Sequence, residues 1–126
     1  MITMDLTKYK DFIEKGMVYV ATADRKAKPN LVCVMRCKLV SKDTICMTDV
    51  MMDKTKKNLL QNKQISLVVG RGDKWFQFKG AGSYQTAGKW FKFVKSIPGN
   101  KIYDVNAAVL VKVKEVYDLY EGERVD

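Results

Sequence analysis

Between residues 30 and 40 the side chains alternate: Leu31, Cys33, Met35, Cys37 and Leu39 point one way, and Val32, Val34, Arg36, Lys38 and Val40 the other. Alternation sustained over such a run fits a long β-strand, because helical apolar positions recur every three or four residues instead. The first set belongs in a core. The second changes from apolar to basic halfway along, so that face is expected to leave the core and meet solvent or a ligand. The same period recurs elsewhere. Residues 17–23, 44–50, 65–69, 75–85 and 107–116 read as further strands, separated by polar turns such as 24–28, 41–43 and 70–73. In the last strand Val109, Val111 and Val113 alternate with Leu110, Lys112 and Lys114. Gly80 and Gly82 interrupt the 75–85 run, where a bulge, a bend or close approach of another backbone is expected.

Three short helices complete the chain. Residues 6–15 carry an apolar stripe of Leu6, Tyr9, Phe12 and Ile13, stopped by Gly16. A second helix is predicted over 54–61. A third follows, with Trp90, Phe93, Val94 and Ile97 on one side and Pro98-Gly99 at its end. About six strands with short turns predict a mostly-β fold, an antiparallel six-stranded barrel with short flanking helices at its rim. Closing the sheet hides its edges. A chain of 126 residues makes one domain, 1–126, with a single core.

Charge and residue absences narrow the function. Lys and Arg number 23 against 14 Asp and Glu, a net charge of +9 that suits anionic partners. The positives are dispersed from Lys8 to Lys114, while acids gather near the end in Glu115, Asp118, Glu121, Glu123 and Asp126. Dispersed lysines fit a solvated surface better than a binding stripe. With no histidine there is no Ser-His or Cys-His catalytic pair and no imidazole ligand for haem. Cys33 and Cys37 on one strand would have Cα atoms about 13 Å apart, too far for a bridge. Together with Cys46 they are expected to be buried thiols, and no metal site is expected. No apolar run reaches membrane-span length and no secretion signal is evident, so a cytoplasmic protein is expected.

The stretch 51–59, Met-Met-Asp-Lys-Thr-Lys-Lys-Asn-Leu, follows the 44–50 strand. Asp53 reads as the N-cap of the second helix, with Lys54 and Thr55 in its first turn. A helix start presents unpaired N–H groups and partial positive charge, so a Lys and a hydroxyl there suit a phosphate. The same residues also fit a capped surface helix with solvated lysines.

Four segments in order resemble the FMN-binding split β-barrel family, which includes pyridoxamine 5′-phosphate oxidase. They are Val20-Ala21-Thr22-Ala23 with Lys28-Pro29-Asn30-Leu31-Val32 after the turn; 52–59; Ile65-Ser66-Leu67-Val68-Val69; and 78–84 followed by Gly88 and the aromatic helix. The resemblance covers roughly residues 10–114. It implies a homodimer with FMN in clefts at the interface and an oxidoreductase or electron-carrier role, for a small-molecule substrate or a redox partner. Lys54 and Thr55 would hold the phosphate. Val32, Cys33, Val34, Met35 and Arg36 would run past the ring, and Met47, Thr48 and Asp49 would line its other edge. The substrate-binding His and Arg pattern of the oxidase itself is missing, no side chain is identified as catalytic, and the haem-handling relatives are disfavoured by the absent histidine. Some relatives bind a deazaflavin instead. Two other readings stay open. One is a basic β-barrel that binds nucleic acid through aromatics such as Trp75, Phe76 and Phe78; the other is a cofactor-free dimeric scaffold. Against the first, those aromatics sit at core spacing, so any nucleic-acid binding is expected to be weak and non-specific.

Overall fold

A computed structural model describes residues 4–34 and 37–126. The strands are β1 (Met17–Ala23), β2 (Pro29–Val34), β3 (Cys37–Leu39), β4 (Thr44–Asp49), β5 (Gln64–Arg71), β6 (Lys74–Gln85), β7 (Ala107–Asp118) and β8 (Glu123–Arg124). The helices are α1 (Lys10–Lys15), α2 (Asp53–Gln61) and α3 (Lys89–Ser96), with 3-10 turns at Thr7–Tyr9 and Pro98–Asn100. All ladders are antiparallel and belong to one eight-stranded sheet ordered β2-β1-β5-β6-β7-β4-β3, with β8 added to β7.

The strand count exceeds the expected six for two reasons. The chain end forms the short β8, and the 30–40 run is two strands. β2 pairs with β1, whereas β3 pairs with β4 at the opposite end of the sheet. The inward parity changes with the partner: Val34 is buried in β2, but Cys37 is buried in β3. The assignment of Leu31 and Cys33 to the core is therefore corrected. Leu31 is 67% exposed, Cys33 is exposed, and Val32 and Val34 face inward in their place. The expected burial of all three thiols holds for Cys37 and Cys46 alone.

This change of partner also closes the barrel. The two sheet edges, β2 and β3, are separated only by residues 35 and 36. Three virtual bonds of 3.8 Å keep the Cα atoms of Val34 and Cys37 within about 11 Å. The sheet must curl until its edges meet. Among the described residues no ladder joins β2 to β3, so the barrel has a seam there.

Inside, Val20, Leu67, Val69, Phe78, Val109 and Val111 are fully buried and form a contiguous apolar core. At the predicted irregularity the β6–β7 register slips between Lys79 and Gly80, and Lys114 is the unpaired extra residue. The inward parity on β7 shifts with it, from Val113 to Val116. A Cβ on Gly80 would collide with the Lys112 carbonyl. Gly82 makes room for α2: a Cβ there would stand 3.0 Å from Leu59. The Asn58 amide donates to the Thr22 hydroxyl at 3.0 Å, fixing α2 across β1. A second apolar cluster centres on Cys46, Val94 and Ala108 and docks α3 on β4 and β7. The aromatics of β6 are engaged within the chain. Phe78 is buried, Phe76 packs on Tyr9 and Phe12, and Trp75 stacks on Tyr19 and donates from Nε1 to the Gly72 carbonyl at 2.8 Å. Among the described residues no helix is long and apolar enough to cross a membrane.

Candidate functional site

At the seam, the inner end of β2 and the end of β4 border a cleft of about 220 Å³. Val32, Cys33 and Val34 form one wall, Thr48 the floor, and Val50, Met51, Met52, Asn100 and Tyr103 the remainder. Larger hollows, of about 600, 830, 280 and 320 Å³, share no lining residue with it. Among the described residues β2 is an edge strand, with one row of its backbone N–H and C=O groups free of sheet pairing.

The ten residues expected at the site divide into four groups. Val32, Cys33, Val34 and Thr48 line the cleft. Met47 is fully buried in the barrel core and does not line it. Met35 and Arg36 lie outside the described residues. Asp49, Lys54 and Thr55 shape the helix start next to the cleft.

Asp49 is the organiser of that start. It is 2% exposed, and its Oδ1 accepts the Met52 N–H at 2.7 Å while its Oδ2 accepts the Tyr84 hydroxyl. Burial, and then this bond to Asp49, push the Tyr84 phenol well above the ordinary tyrosine range. Asp53 is consequently not the N-cap. It is the first helical residue, Met52 holds the cap position, and no side chain caps the helix directly. The Asp53 carboxylate turns along the helix to Lys57 Nζ at 3.2 Å. An acid at the strand end, three residues before the cap position, has taken over the role that the local pattern assigned to Asp53.

Lys54 is exposed at the second helical position. Thr55 is 1% exposed, and its Oγ1 accepts from Asn30 Nδ2 at 3.3 Å, which ties α2 to β2. The Thr55 hydroxyl therefore faces β2 and not the open end of the helix. Asn30 and Val34 are four residues apart on β2, about 13 Å along the strand. The helix start and the cleft thus lie along one strand.

Asn100, Val50, Met51, Met52 and Tyr103 were missed from sequence. Asn100 is 1% exposed in the turn after α3. Its Nδ2 donates to the Thr48 hydroxyl at 2.9 Å and to the Val94 carbonyl at 2.8 Å, whereas its Oδ1 has no partner among the described residues. The Pro98-Gly99 signal marked the turn but not the buried amide behind it.

No family model matches the sequence. It is 29% identical over 115 residues to MJ0282 of Methanocaldococcus jannaschii, across 87% of this chain and 77% of that protein. Among solved structures, HupZ of Group A Streptococcus superposes with a TM-score of 0.86 at 23% identity, covering 100% of both chains. An FMN-binding protein from Syntrophomonas wolfei superposes at 0.76 and 17% identity, over 90% of this chain and 85% of that one. HutZ, the haem storage protein of Vibrio cholerae, does so at 0.65 and 14%, over 92% of this chain and 95% of its own. This chain has the split-barrel fold shared by FMN-binding and pyridoxamine 5′-phosphate oxidase-related proteins.

Proposed function

We propose that this chain binds FMN and works as an oxidoreductase or electron carrier. The observation that carries this reading is the alignment along β2 of two unlike ends. At one end stand the exposed Lys54 and the first-turn N–H groups of α2; at the other is an apolar cleft with the Asn100 Oδ1 acceptor buried behind its wall, unpartnered among the described residues. An elongated ligand with an anionic tail and a flat ring of polar edge matches that order. Lys54 and the helix start would hold the phosphate, by charge and by N–H donation. Thr55 would contribute its backbone N–H, since its hydroxyl is turned toward Asn30 on β2. Asp49 sets this arrangement by holding Met52 and Tyr84. The free edge of β2 would orient the ring, with Val32, Val34 and Met52 excluding water from it.

Bound FMN supplies reversible hydride or electron transfer. No histidine is available as a proton donor, and both oxygens of Asp49 are engaged, so substrate protons are assigned to no fixed side chain. The haem storage role of HutZ is not transferred, because this chain offers no imidazole ligand.

A second copy of the chain belongs to this reading. A cleft of about 220 Å³ falls below the 300–1,000 Å³ usual for ligand pockets. The outer face of β1 and β2 beside it exposes Met17 at 50% and Leu31 at 67%. A homodimer would cover that face and deepen the cleft, and a single-chain sedimentation mass with flavin bound would refute it.

The decisive experiment is titration of the purified protein with FMN, riboflavin, FAD and haemin, followed in the visible spectrum. FMN is expected to bind most tightly, with riboflavin weaker for want of the phosphate. Lys54→Ala should weaken FMN by about 1.5–3 kcal/mol, the range for a hydrogen bond to a charged group. Lys42→Ala, on the exposed 41–43 turn, should change little. Equal affinity for FMN and riboflavin would remove the phosphate assignment, and a haem band in place of flavin binding would remove the proposal.

A further inference from the structure

The proposal that FMN occupies the cleft leaves open which protein atoms read its ring. Asn100 answers from its own geometry. The Val94 carbonyl can only accept a hydrogen bond, so the group facing it at 2.8 Å must be the Asn100 NH₂. The amide orientation is thereby fixed, and Oδ1 cannot be exchanged with Nδ2. The same NH₂ donates to Thr48 Oγ1 at 2.9 Å, which leaves the Thr48 hydroxyl proton to be donated elsewhere. Both residues line the cleft, and both are at least nine-tenths buried. Just behind the cleft wall a carbonyl acceptor therefore lies next to a hydroxyl donor. A buried acceptor without a partner is costly, so this one calls for a donor from beyond the described residues.

The complement of an acceptor beside a donor is a ring edge with an N–H beside a carbonyl, as in an imide or lactam. Oxidised flavin has one ring N–H, at N3, flanked by two carbonyls. We infer that Thr48 and Asn100 form the reader of this imide edge, Asn100 Oδ1 accepting from N3–H and the Thr48 hydroxyl donating to an adjacent carbonyl. The inference rests on the FMN reading and sharpens it. It assigns ring specificity to a turn that follows α3, remote in sequence from the phosphate end at α2.

The test compares FMN with 3-methyl-FMN, in which the N3 hydrogen is replaced, by titration of the flavin-free wild type. The methylated flavin should bind about 10- to 100-fold more weakly, because the buried acceptor then stays unpaired. In Asn100→Ala the ratio should collapse to within about twofold, as expected when the group that discriminates is gone. Asn100→Ser is the second variant, should Asn100→Ala fail to fold; its short hydroxyl lacks the amide acceptor and should narrow the same ratio, whereas Thr48→Val should weaken both flavins alike. A wild type that binds both flavins equally well overturns this inference and leaves the FMN proposal standing. So does undiminished discrimination in a folded Asn100→Ala or Asn100→Ser. A wild type that binds no FMN overturns both.

Discussion

Phe78, Leu67 and Val111 inside the barrel and Asp49, Thr48 and Asn100 at its seam are almost equally hidden from water, none more than 5% exposed. The first three pack in one apolar cluster, where fit and area set the stability. The second three work by directed bonds, from Asp49 to Met52 and Tyr84 and from Asn100 to Thr48 and Val94. One buried layer makes the fold, and the other holds a particular shape open beside it. Burial alone does not separate a core from a site; the number of bonding partners left over does.

The thiols give the widest separation between the two regions. Cys37 and Cys46 are buried and Cys33 borders the cleft. Burial lifts the Cys46 thiol to about 12 and pushes Cys37 higher still, so neither forms the reactive thiolate near neutral pH. In flavin-free protein an aromatic disulfide reagent is expected to modify Cys33 alone, reaching it through the cleft, and the other two only on unfolding. Added FMN should slow the Cys33 reaction. Equal rates at all three would mean that the core is as open as the seam.

Phe78→Ala probes the core directly. The ring is fully buried and meets Tyr9 edge-on at 5.4 Å. Removing it should cost about 3–5 kcal/mol in denaturant unfolding. A loss below 1 kcal/mol would show that this interior does not depend on close packing.

At the seam, Asp49→Ala strips the Met52 N–H and the Tyr84 hydroxyl of their shared acceptor. The expected loss is about 2–3 kcal/mol, from buried polar groups left unpaired. FMN affinity should fall with it, because the start of α2 loses its anchor. A variant of unchanged stability that still binds FMN would show that the helix start is set by packing instead.

The same contrast explains what could be read from the sequence. β1 and β7 were legible because one face is mainly apolar: Val18 and Val20 in one, Val109, Val111 and Val113 in the other. The 30–40 run was not, because both of its faces begin apolar. Nothing local reveals that inward parity passes from Val34 to Cys37 when the pairing partner changes from β1 to β4. The short helix and its lysines were visible, but the acid that sets its start was assigned to Asp53. Asp49 looked like a strand residue, and its bond to Tyr84 spans 35 positions. Thr48 and Asn100 are 52 positions apart and become neighbours only through the barrel. Periodicity records which side faces the core; it carries no record of polar partners supplied by distant strands.

Tyr84→Phe is the mildest probe of the seam, since it removes one hydroxyl and keeps the ring. At neutral pH the loss should be about 1 kcal/mol, that of a single hydrogen bond. Its pH dependence is more telling. The folded phenol holds its proton above the ordinary tyrosine range, through burial first and the bond to Asp49 second. In the unfolded chain a tyrosine ionises near ~10. Above that value the unfolded state binds fewer protons than the folded one, so stability must fall as pH rises. The wild-type advantage over Tyr84→Phe is therefore expected in full below pH ~10 and to shrink above it, an interval set by the unfolded value. Unfolding midpoints of both proteins from pH 7 to 11 measure this. A constant difference across that range would mean that the Tyr84 hydroxyl is solvated and does not share in the polar layer that Asp49 organises.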